Sequence, residues 1–335
     1  MNERPQKASY LAAYLDWIRE ELTAPTAIEV AVNSDGKIWV ENAGSSHMRL
    51  IEGHQLTPQQ VTDLAGIIAN TSKNKLTADA PIVSAAVEYQ GLVLRAQIVA
   101  APAVAHGTVL SFRVFRHRAG TEPKKFKFLR DPSKSLEHER LAKIQEIREL
   151  AQQGSEEEFL QSLIDNRLNI VVSGGTSTGK TELGRRLLWM VDNSERIITI
   201  EDSQELLPRQ DNVVSLIGSR DDKSPRSADK LLQATLRMRP DRIILGELRG
   251  VEAATFLDAI NTGHAGSFTT LHAESARKAM DRLALLVMGT GTKLSYPEVI
   301  RYLEGSIDVI IQTGRVNDER GLLEVYFPGE TPQEL

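Results

Sequence analysis

The sequence predicts two domains, a small α+β domain followed by a larger α/β domain built on a parallel sheet. Its 335 residues are long for one compact unit, since single domains commonly span roughly 100 to 200 residues. Short alternating strands and two amphipathic helices are expected in the first third of the chain. After residue 135, apolar strands alternate with helical segments, which is typical of βαβ units.

The first predicted domain covers residues 1–119. Apolar side chains recur at helical spacing over residues 10–22, and two alternating strands flank Asp35-Gly36, a dipeptide that closes tight hairpins. Thr57-Pro58-Gln59-Gln60 offers an N-cap, a first-position proline and a capping-box glutamine, so a second helix is expected to begin there. Further strands are expected over residues 82–89, 92–99 and 109–115.

Residues 120–135 are predicted to form a linker, because the segment has two prolines and no sustained period. It carries the interleaved run Lys124, Lys125, Phe126, Lys127 and Phe128. The favoured interpretation is a solvated connection, and the alternative is a contact with anionic lipid or nucleic acid.

The second predicted domain covers residues 136–335. Its candidate strands lie at residues 168–172, 196–200, 242–245, 266–271 and 307–311. Because these strands are separated by helical segments, we expect a parallel sheet covered by helices.

The composition is that of a globular protein, with 41% hydrophobic and 25% charged residues. A formal net charge of −5 argues against a dedicated DNA-binding domain, since the chain as a whole does not attract phosphate. The absence of cysteine excludes disulfides and thiolate metal sites, and it fits a cytoplasmic location.

A glycine-rich loop stands between the strand at 168–172 and a helical segment. It reads Gly174-Gly175-Thr176-Ser177-Thr178-Gly179-Lys180-Thr181. The main-chain N–H groups of such a loop face a phosphate chain, and the following helix adds the positive end of its dipole. Lys180 is expected to reach the β- and γ-phosphates, and the Thr181 hydroxyl to bind Mg²⁺. The loop therefore predicts a site for ATP with Mg²⁺.

Two further strands end in carboxylates. Glu247 closes the strand at 242–245 and is a candidate ligand of Mg²⁺ or of water, because strand ends of this kind meet the phosphates at the carboxyl edge of a sheet. Glu201, Asp202 and Glu205 follow the strand at 196–200. The alternative for each strand end is a solvated turn, which the presence of the glycine loop makes weaker.

Two histidines flank the strand at 266–271. An imidazole near a γ-phosphate can donate a hydrogen bond to its charged oxygens and so sense the presence of that phosphate. For His264 the functional interpretation is favoured. For His272 a functional and a structural role are equally compatible with the sequence.

The motifs Ile-Thr-Ile-Glu-Asp (198–202), Leu-Arg-Met-Arg-Pro-Asp-Arg-Ile-Ile-Leu-Gly-Glu-Leu-Arg (236–249) and Gly-His-Ala-Gly-Ser-Phe-Thr-Thr-Leu-His-Ala (263–273) resemble those of the hexameric traffic ATPases of type IV secretion and conjugation systems. The resemblance implies a RecA-like P-loop domain. It also implies that residues 174–181 are the Walker A loop, 201–205 the acidic box, 243–247 the Walker B strand and 263–272 the histidine box.

The resemblance also implies roles for single residues. Glu201 would position or activate the attacking water, and Glu247 would hold Mg²⁺ through its water shell. In that family, arginines of the first domain reach the nucleotide, which makes Arg95 and Arg116 candidates ahead of Arg113 and Arg118. The sequence departs from the family at Ser177 and Thr178, where glycine and serine are frequent.

The function that this resemblance implies is an ATP-driven motor for substrate translocation or pilus assembly. It would be a homohexameric ring, cytoplasmic and peripheral to the inner membrane. Its partners would be inner-membrane and cytoplasmic secretion subunits, with a protein or a protein–DNA complex as substrate. The alternatives are a pilus or type II-like motor, a RecA-like helicase, and a scaffold that binds ATP and scarcely hydrolyses it. Type II assembly ATPases typically carry a cysteine-bound metal insert, and this chain has no cysteine.

Overall fold

The computed structural model describes residues 10–116, 125–153 and 155–329. The α-helices of this part are α1 (Tyr10–Leu15), α2 (Arg19–Thr23), α3 (Pro58–Thr71), α4 (Leu136–Gln152), α5 (Glu156–Asp165), α6 (Lys180–Met190), α7 (Ala228–Thr235), α8 (Glu252–Asn261), α9 (Ala276–Met288) and α10 (Tyr296–Ser306). Its strands are β1 (Ala27–Val32), β2 (Lys37–Asn42), β3 (Arg49–Gln55), β4 (Ile82–Tyr89), β5 (Leu92–Ala100), β6 (Thr108–Arg116), β7 (Ile170–Gly174), β8 (Ile197–Glu201), β9 (Val213–Ile217), β10 (Arg242–Leu245), β11 (Phe268–Leu271), β12 (Val309–Val316) and β13 (Glu319–Tyr326).

The chain divides into two compact units that interleave along the sequence. The first unit comprises Met1–Arg116 and Asp192–His264, and the second comprises His117–Val191 and Ala265–Leu335. The mixed α/β class predicted from the sequence is confirmed. The predicted boundaries, 1–119 for the first domain, 120–135 for the linker and 136–335 for the second domain, stay predictions.

The N-terminal segment of the first unit is a six-stranded antiparallel sheet in the order β3-β2-β1-β6-β5-β4. Buried apolar side chains of α1 and α3, such as Leu15, Leu64 and Ile68, pack in one core with those of the strands. Burial of each such side chain contributes about 1.5–3 kcal/mol to the free energy of unfolding. This segment is the α+β architecture that its sequence predicts.

Local signals predicted most of these elements. The capping box is present, since the Thr57 hydroxyl accepts from the N–H of Gln60 at 3.2 Å and the Gln60 side chain accepts from the N–H of Thr57 at 2.8 Å. The helix expected over residues 10–22 is found as α1 and α2 with a 3₁₀ turn at Asp16–Ile18 between them.

The other segment of the first unit contributes three parallel strands. β10 pairs with β8, where Leu245 lies opposite Ile200, and β8 pairs with β9, where Ile197 lies opposite Val213. The strands β8 and β10 are buried throughout, in keeping with their continuous apolar sequences. The helices α7 and α8 belong to the same segment.

In the second unit β7 lies between β11 and β12, with parallel pairing on both sides. β13 closes the group as an antiparallel neighbour of β12. The strand β7 ends at Gly174, so the glycine loop begins at the carboxyl end of a central buried strand.

Within the described part of the predicted linker, residues 125–135 form neither helix nor strand. Phe126, Phe128 and Leu129 are exposed, at 102%, 83% and 87% of their full accessible surface. Lys124 and the candidate Arg118 lie outside the described residues. Of the helices described, none has the length and apolar character needed to cross a bilayer.

Candidate active site

The glycine loop connects β7 to α6 in the second unit. Gly179 has a φ of 101°, in the left-handed region that favours glycine, and α6 begins at the next residue. Ser177 also has a positive φ, 60°, and for a residue with a Cβ this conformation costs of order 1–3 kcal/mol. A glycine at this position would avoid that strain.

Side chains of the loop hold its own main chain in a curl. The Lys180 ammonium donates to the carbonyls of Gly174 and Gly175 at 3.0 and 2.7 Å. The Thr178 hydroxyl donates to the Gly175 carbonyl at 3.0 Å. Lys180 is thus bent back over the loop, and Thr181 lies half-buried in the first turn of α6.

Thr313 supports this curl from the neighbouring strand. Its hydroxyl lies 2.9 Å from that of Thr178 and donates to the Ser173 carbonyl at 3.0 Å. Register explains the contact, because Thr313 of β12 lies opposite Gly174 of β7. Sequence reasoning missed this residue, since the strand was expected to end at residue 311.

In the first unit, Glu201 lies at the carboxyl end of β8 and is buried. Its Oε1 accepts from the main-chain N–H groups of Glu205 and Leu206, at 3.1 and 3.0 Å. Burial raises the pKa of Glu201 above its usual value. The hydrogen bonds from the two N–H groups act to lower this pKa, but the effect of burial is larger. Glu205 itself is exposed and accepts from the Ser203 hydroxyl at 3.2 Å.

Gly246 permits the close approach of the two carboxylate-bearing strands. Its N–H donates to the Ile200 carbonyl at 2.8 Å, and a Cβ built there would lie 3.3 Å from Cγ of Glu201. A side chain at position 246 would therefore press on Glu201. The need for glycine at position 246 follows from the pairing of β10 with β8.

Glu247 lies just beyond β10 and pairs with Arg249, whose Nη2 donates to its Oε2 at 2.5 Å. The same guanidinium donates to Asp202, which also accepts from Arg220 at 2.8 Å. The hydrogen bond with Glu247 raises the pKa of Arg249. Although burial acts to raise it, these arginines hold the pKa of Asp202 below its usual value.

Sequence reasoning named Asp202 among the strand-end carboxylates, but it did not single out Arg249 as the residue that joins Asp202 to Glu247. The strand ends that carry Glu201 and Glu247 are adjacent, as expected for neighbouring parallel strands. The chemistry that they can offer is a buried carboxyl group beside an arginine-paired carboxylate.

The two histidines lie in different units. His264 is half-buried in the first unit, and its main-chain N–H donates to the carbonyl of Ala259 in α8 at 3.3 Å. His272 is half-buried in the second unit, one residue after β11. Their proposed contact with a phosphate stays a prediction.

The two arginine candidates occupy different environments on the N-terminal sheet. Arg95 is exposed on β5, with its guanidinium 4.6 Å from the ring centre of Phe115. Arg116 instead donates to main-chain carbonyls of Leu22, Ala24 and Ala27, which holds α2 and the start of β1 in place. Its structural role here makes Arg95 the better candidate for a nucleotide contact.

Arg113, the third candidate, also lies near Phe115. Its guanidinium is 5.5 Å from the ring centre, and its Nε is 3.6 Å from a carboxylate oxygen of Glu29. Arg95 and Arg113 lie opposite one another on neighbouring strands. The structure therefore gives both arginines a place on the same sheet surface.

Residues 135–316 match the protein family described as Type II/IV secretion system protein. The type IV secretion system protein VirB11 of Bartonella quintana is 32% identical to this chain over 330 residues, which cover 93% of this chain and 91% of that protein. Protein VirB11 of Agrobacterium tumefaciens is 31% identical over 346 residues, covering 98% and 96%.

Among solved structures, the VirB11 ATPase from the Brucella suis type IV secretion system, in complex with sulphate, is similar with a TM-score of 0.82. It is 32% identical, and the match covers 96% of this chain and 95% of that chain. The similarity thus includes the N-terminal sheet as well as the part that carries the glycine loop.

Proposed function

Because this chain belongs to the Type II/IV secretion system protein family and is a type IV secretion ATPase of the VirB11 group, we propose that it works as a homohexameric motor for substrate translocation or pilus assembly. The predicted family, fold class and ATPase activity are confirmed, and the similar proteins are type IV secretion proteins rather than pilus motors. The observation that carries the site assignment is the glycine loop between β7 and α6, with Lys180 bent over it.

The loop would act on the phosphates of ATP. Main-chain N–H groups and the N-terminus of the 11-residue helix α6 present positive partial charge, and the Lys180 ammonium adds a full one. These charges stabilise the negative charge on the transferred phosphoryl oxygens, which is the main source of catalysis in phosphoryl transfer. Gly174 to Gly179, including Thr176, would supply the main-chain donors.

Mg²⁺ would be held by the Thr181 hydroxyl and, through a shell of water, by Glu247. Both groups offer the hard oxygen ligands that Mg²⁺ takes, which it usually combines with substrate phosphates. No group of three His, Cys, Asp or Glu suited to a metal occurs in the described residues, so a cage made only of side chains is not supported. When bound, Mg²⁺ neutralises phosphate charge. The pairing of Glu247 with Arg249 favours an outer-shell role.

Glu201 would orient and activate the attacking water. A general base is most effective when its pKa is near the operating pH, and burial moves the Glu201 pKa in that direction. His264 would donate a hydrogen bond to the γ-phosphate, and Arg95 would contact the nucleotide from the N-terminal sheet.

We expect ring formation to be required for full activity, because the family resemblance implies that arginines and neighbouring subunits complete the nucleotide sites. Mass photometry with and without a non-hydrolysable ATP analogue, together with specific activity over a range of protein concentrations, measures this. Specific activity should rise with concentration as the hexamer forms. A strictly monomeric protein whose specific activity does not depend on concentration would contradict the ring.

The sequence favours a solvated linker, but its described residues expose three large apolar side chains, and from that exposure we propose that they contact anionic lipid at the inner membrane. Phe126 lies between Lys125 and Lys127, and Phe128 and Leu129 lie between Lys127 and Arg130, so exposed apolar side chains alternate with cations along this segment. Aromatic side chains bury favourably at a bilayer interface, and each nearby cation adds about 1 kcal/mol on anionic membranes. The proposal places the protein at the inner-membrane surface, in contact with the membrane subunits of the secretion system.

Flotation with phosphatidylglycerol-containing vesicles tests the lipid contact. We expect the double variant Phe126→Ser, Phe128→Ser to lose most of the vesicle-bound fraction. Leu285→Ser on α9 removes a similarly exposed apolar side chain and serves as the control. Equal flotation of the double variant and the unaltered protein would exclude the linker as the contact.

The cargo is tested in the host. Complementation of a deletion strain with the gene, followed by parallel assays of DNA transfer and protein export, would distinguish a protein cargo from a protein–DNA complex. Loss of neither activity in the deletion strain would contradict the proposed role as a translocation motor.

A further inference from the structure

The strand that carries Glu201 begins at a buried arginine held by the N-terminal sheet. Arg196 immediately precedes β8 and is fully buried. Its Nη1 donates to the side-chain oxygen of Asn33, just beyond β1, at 2.9 Å, and its Nε donates to the Met238 carbonyl at 3.0 Å. The start of β8 is thus fixed to the end of β1.

The strand that leads to Glu247 is anchored in a similar way. Three residues before β10, Arg239 donates from Nε to Glu41 of β2 at 2.5 Å and from Nη2 to the Ser46 carbonyl at 2.8 Å. Arg239 also pairs with Oδ1 of Asp241. The Oδ2 of Asp241 accepts from the main-chain N–H of Arg196 at 2.7 Å. Asp241 therefore joins the two anchors.

A third link is made by the main chain. Residues 103–105, between β5 and β6, pair with β9 in an antiparallel bridge of Val104 with Leu216. The Ala105 N–H donates to the Ser215 carbonyl and the Ile217 N–H donates to the Ala103 carbonyl, both at 2.9 Å. The N-terminal segment is thus joined to the parallel strands by main-chain hydrogen bonds as well as by the side-chain ion pairs.

The anchored strands are short. Glu201 is only five positions after Arg196, and Glu247 is six positions after Asp241, which in extended chain amounts to roughly 16 and 20 Å. Buried ion pairs contribute little net stability, but removing one partner leaves an uncompensated charge, so they fix geometry strongly. A shift at the anchored end would be carried along a hydrogen-bonded strand to the carboxylate at the other end.

We propose that these contacts keep the N-terminal sheet and the strands β8, β9 and β10 together as one rigid body throughout the ATPase cycle, so that the sheet sets the positions of Glu201 and Glu247. Arg196 and Arg239 are then positioning residues, and Glu41 is the partner through which the sheet acts. The inference rests on the proposed roles of Glu201 and Glu247 in hydrolysis.

A disulfide staple tests the rigid body directly, because the chain has no cysteine of its own. The hydrogen bonds on either side make Val104 and Leu216 a non-hydrogen-bonded pair, whose Cα atoms are separated by about 4.5 Å, within disulfide range. We expect the oxidised Val104→Cys, Leu216→Cys protein to keep at least about half of the kcat of its reduced form. Loss of turnover on oxidation, with recovery on reduction, would overturn the proposal.

The single-cysteine variants, oxidised in the same way, control for damage by the oxidant. Circular dichroism controls for folding, since both positions are buried. If the double variant does not fold, the second measurement, on Glu41→Gln, decides.

Glu41→Gln removes the charge that Arg239 meets while keeping nearly the same shape. We expect kcat to fall about tenfold with the KM for ATP within about twofold, because the carboxylates are displaced and the phosphate-binding loop is intact. Glu52→Gln on β3, an exposed residue of the same sheet, should change neither constant. An unchanged kcat for Glu41→Gln would contradict the positioning role.

The staple also separates positioning from a loss of stability. In a protein that carries both Glu41→Gln and the oxidised staple, kcat should recover towards that of the unaltered chain. Failure to recover would show that the anchor does not act by holding the sheet. Glu201→Gln, assayed beside these variants, distinguishes the two proposals, since its full activity would refute the carboxylate role and leave the rigid-body result to stand.

Discussion

Lys180→Ala is expected to lower the rate of ATP hydrolysis by at least about 100-fold while leaving the fold intact. The ammonium group is the only full positive charge of the glycine loop itself, and removal of one such electrostatic donor typically costs 10²- to 10³-fold in rate. The side chain is half-buried and contacts loop carbonyls rather than a core, so the free energy of unfolding should change little.

Phosphate release and circular dichroism on both proteins measure this effect. Lys278→Ala is a matched control, because Lys278 lies in the first turn of another helix of the same unit and pairs with exposed Glu274. It should hydrolyse ATP normally. Near-normal turnover in Lys180→Ala would mean that the glycine loop is not the site of hydrolysis.

Features that depend only on contiguous residues could be predicted from the sequence. The loop from Gly174 to Thr181 and the capping box at Thr57 and Gln60 depend on neighbours in the chain, and both are found where expected. The buried strands β8 and β10 were also predicted, because their apolar runs are continuous and end in carboxylates.

Strands on the surface were missed for an opposite reason. β3 and β13 are mostly exposed and show no regular alternation, so the periodic signal of a half-buried strand is absent. They exist because β2 and β12 offer them hydrogen-bonding edges, which depend on the assembled sheet.

The contacts between the two strand ends of the candidate site could not be predicted from the sequence either. Arg249 stands two residues after Glu247, yet its second partner, Asp202, is 47 residues away and becomes a neighbour only through the pairing of β8 with β10. Gly246 looks like an ordinary turn residue in the sequence. Its role is to leave room for Glu201, which the strand pairing makes visible.

Glu201→Gln and Glu247→Gln are expected to fail in different ways. Each change removes a charge at nearly constant shape. Without the base at Glu201, ATP should bind with unchanged affinity and Mg²⁺ dependence, while single-turnover hydrolysis falls about 10²- to 10⁴-fold. Without the carboxylate at Glu247, affinity for ATP should lose part of its Mg²⁺ dependence, and Arg249 loses its 2.5 Å partner.

Arg249→Gln separates the two consequences of changing Glu247. This variant breaks the ion pair and keeps the carboxylate, so it should retain the Mg²⁺ dependence that Glu247→Gln loses. If both variants lose it equally, the ion pair rather than the carboxylate controls metal binding.

The pH dependence of single-turnover hydrolysis identifies the base independently. A base acts when deprotonated, so the rate falls as pH falls through its pKa. Burial raises the pKa of Glu201, so this fall should occur at higher pH than for an exposed glutamate, whose pKa is about 4.3. The residual rate of Glu201→Gln should lack that step, whereas Glu247→Gln should keep it. If the step persists in Glu201→Gln and disappears in Glu247→Gln, the two carboxylates have the opposite roles.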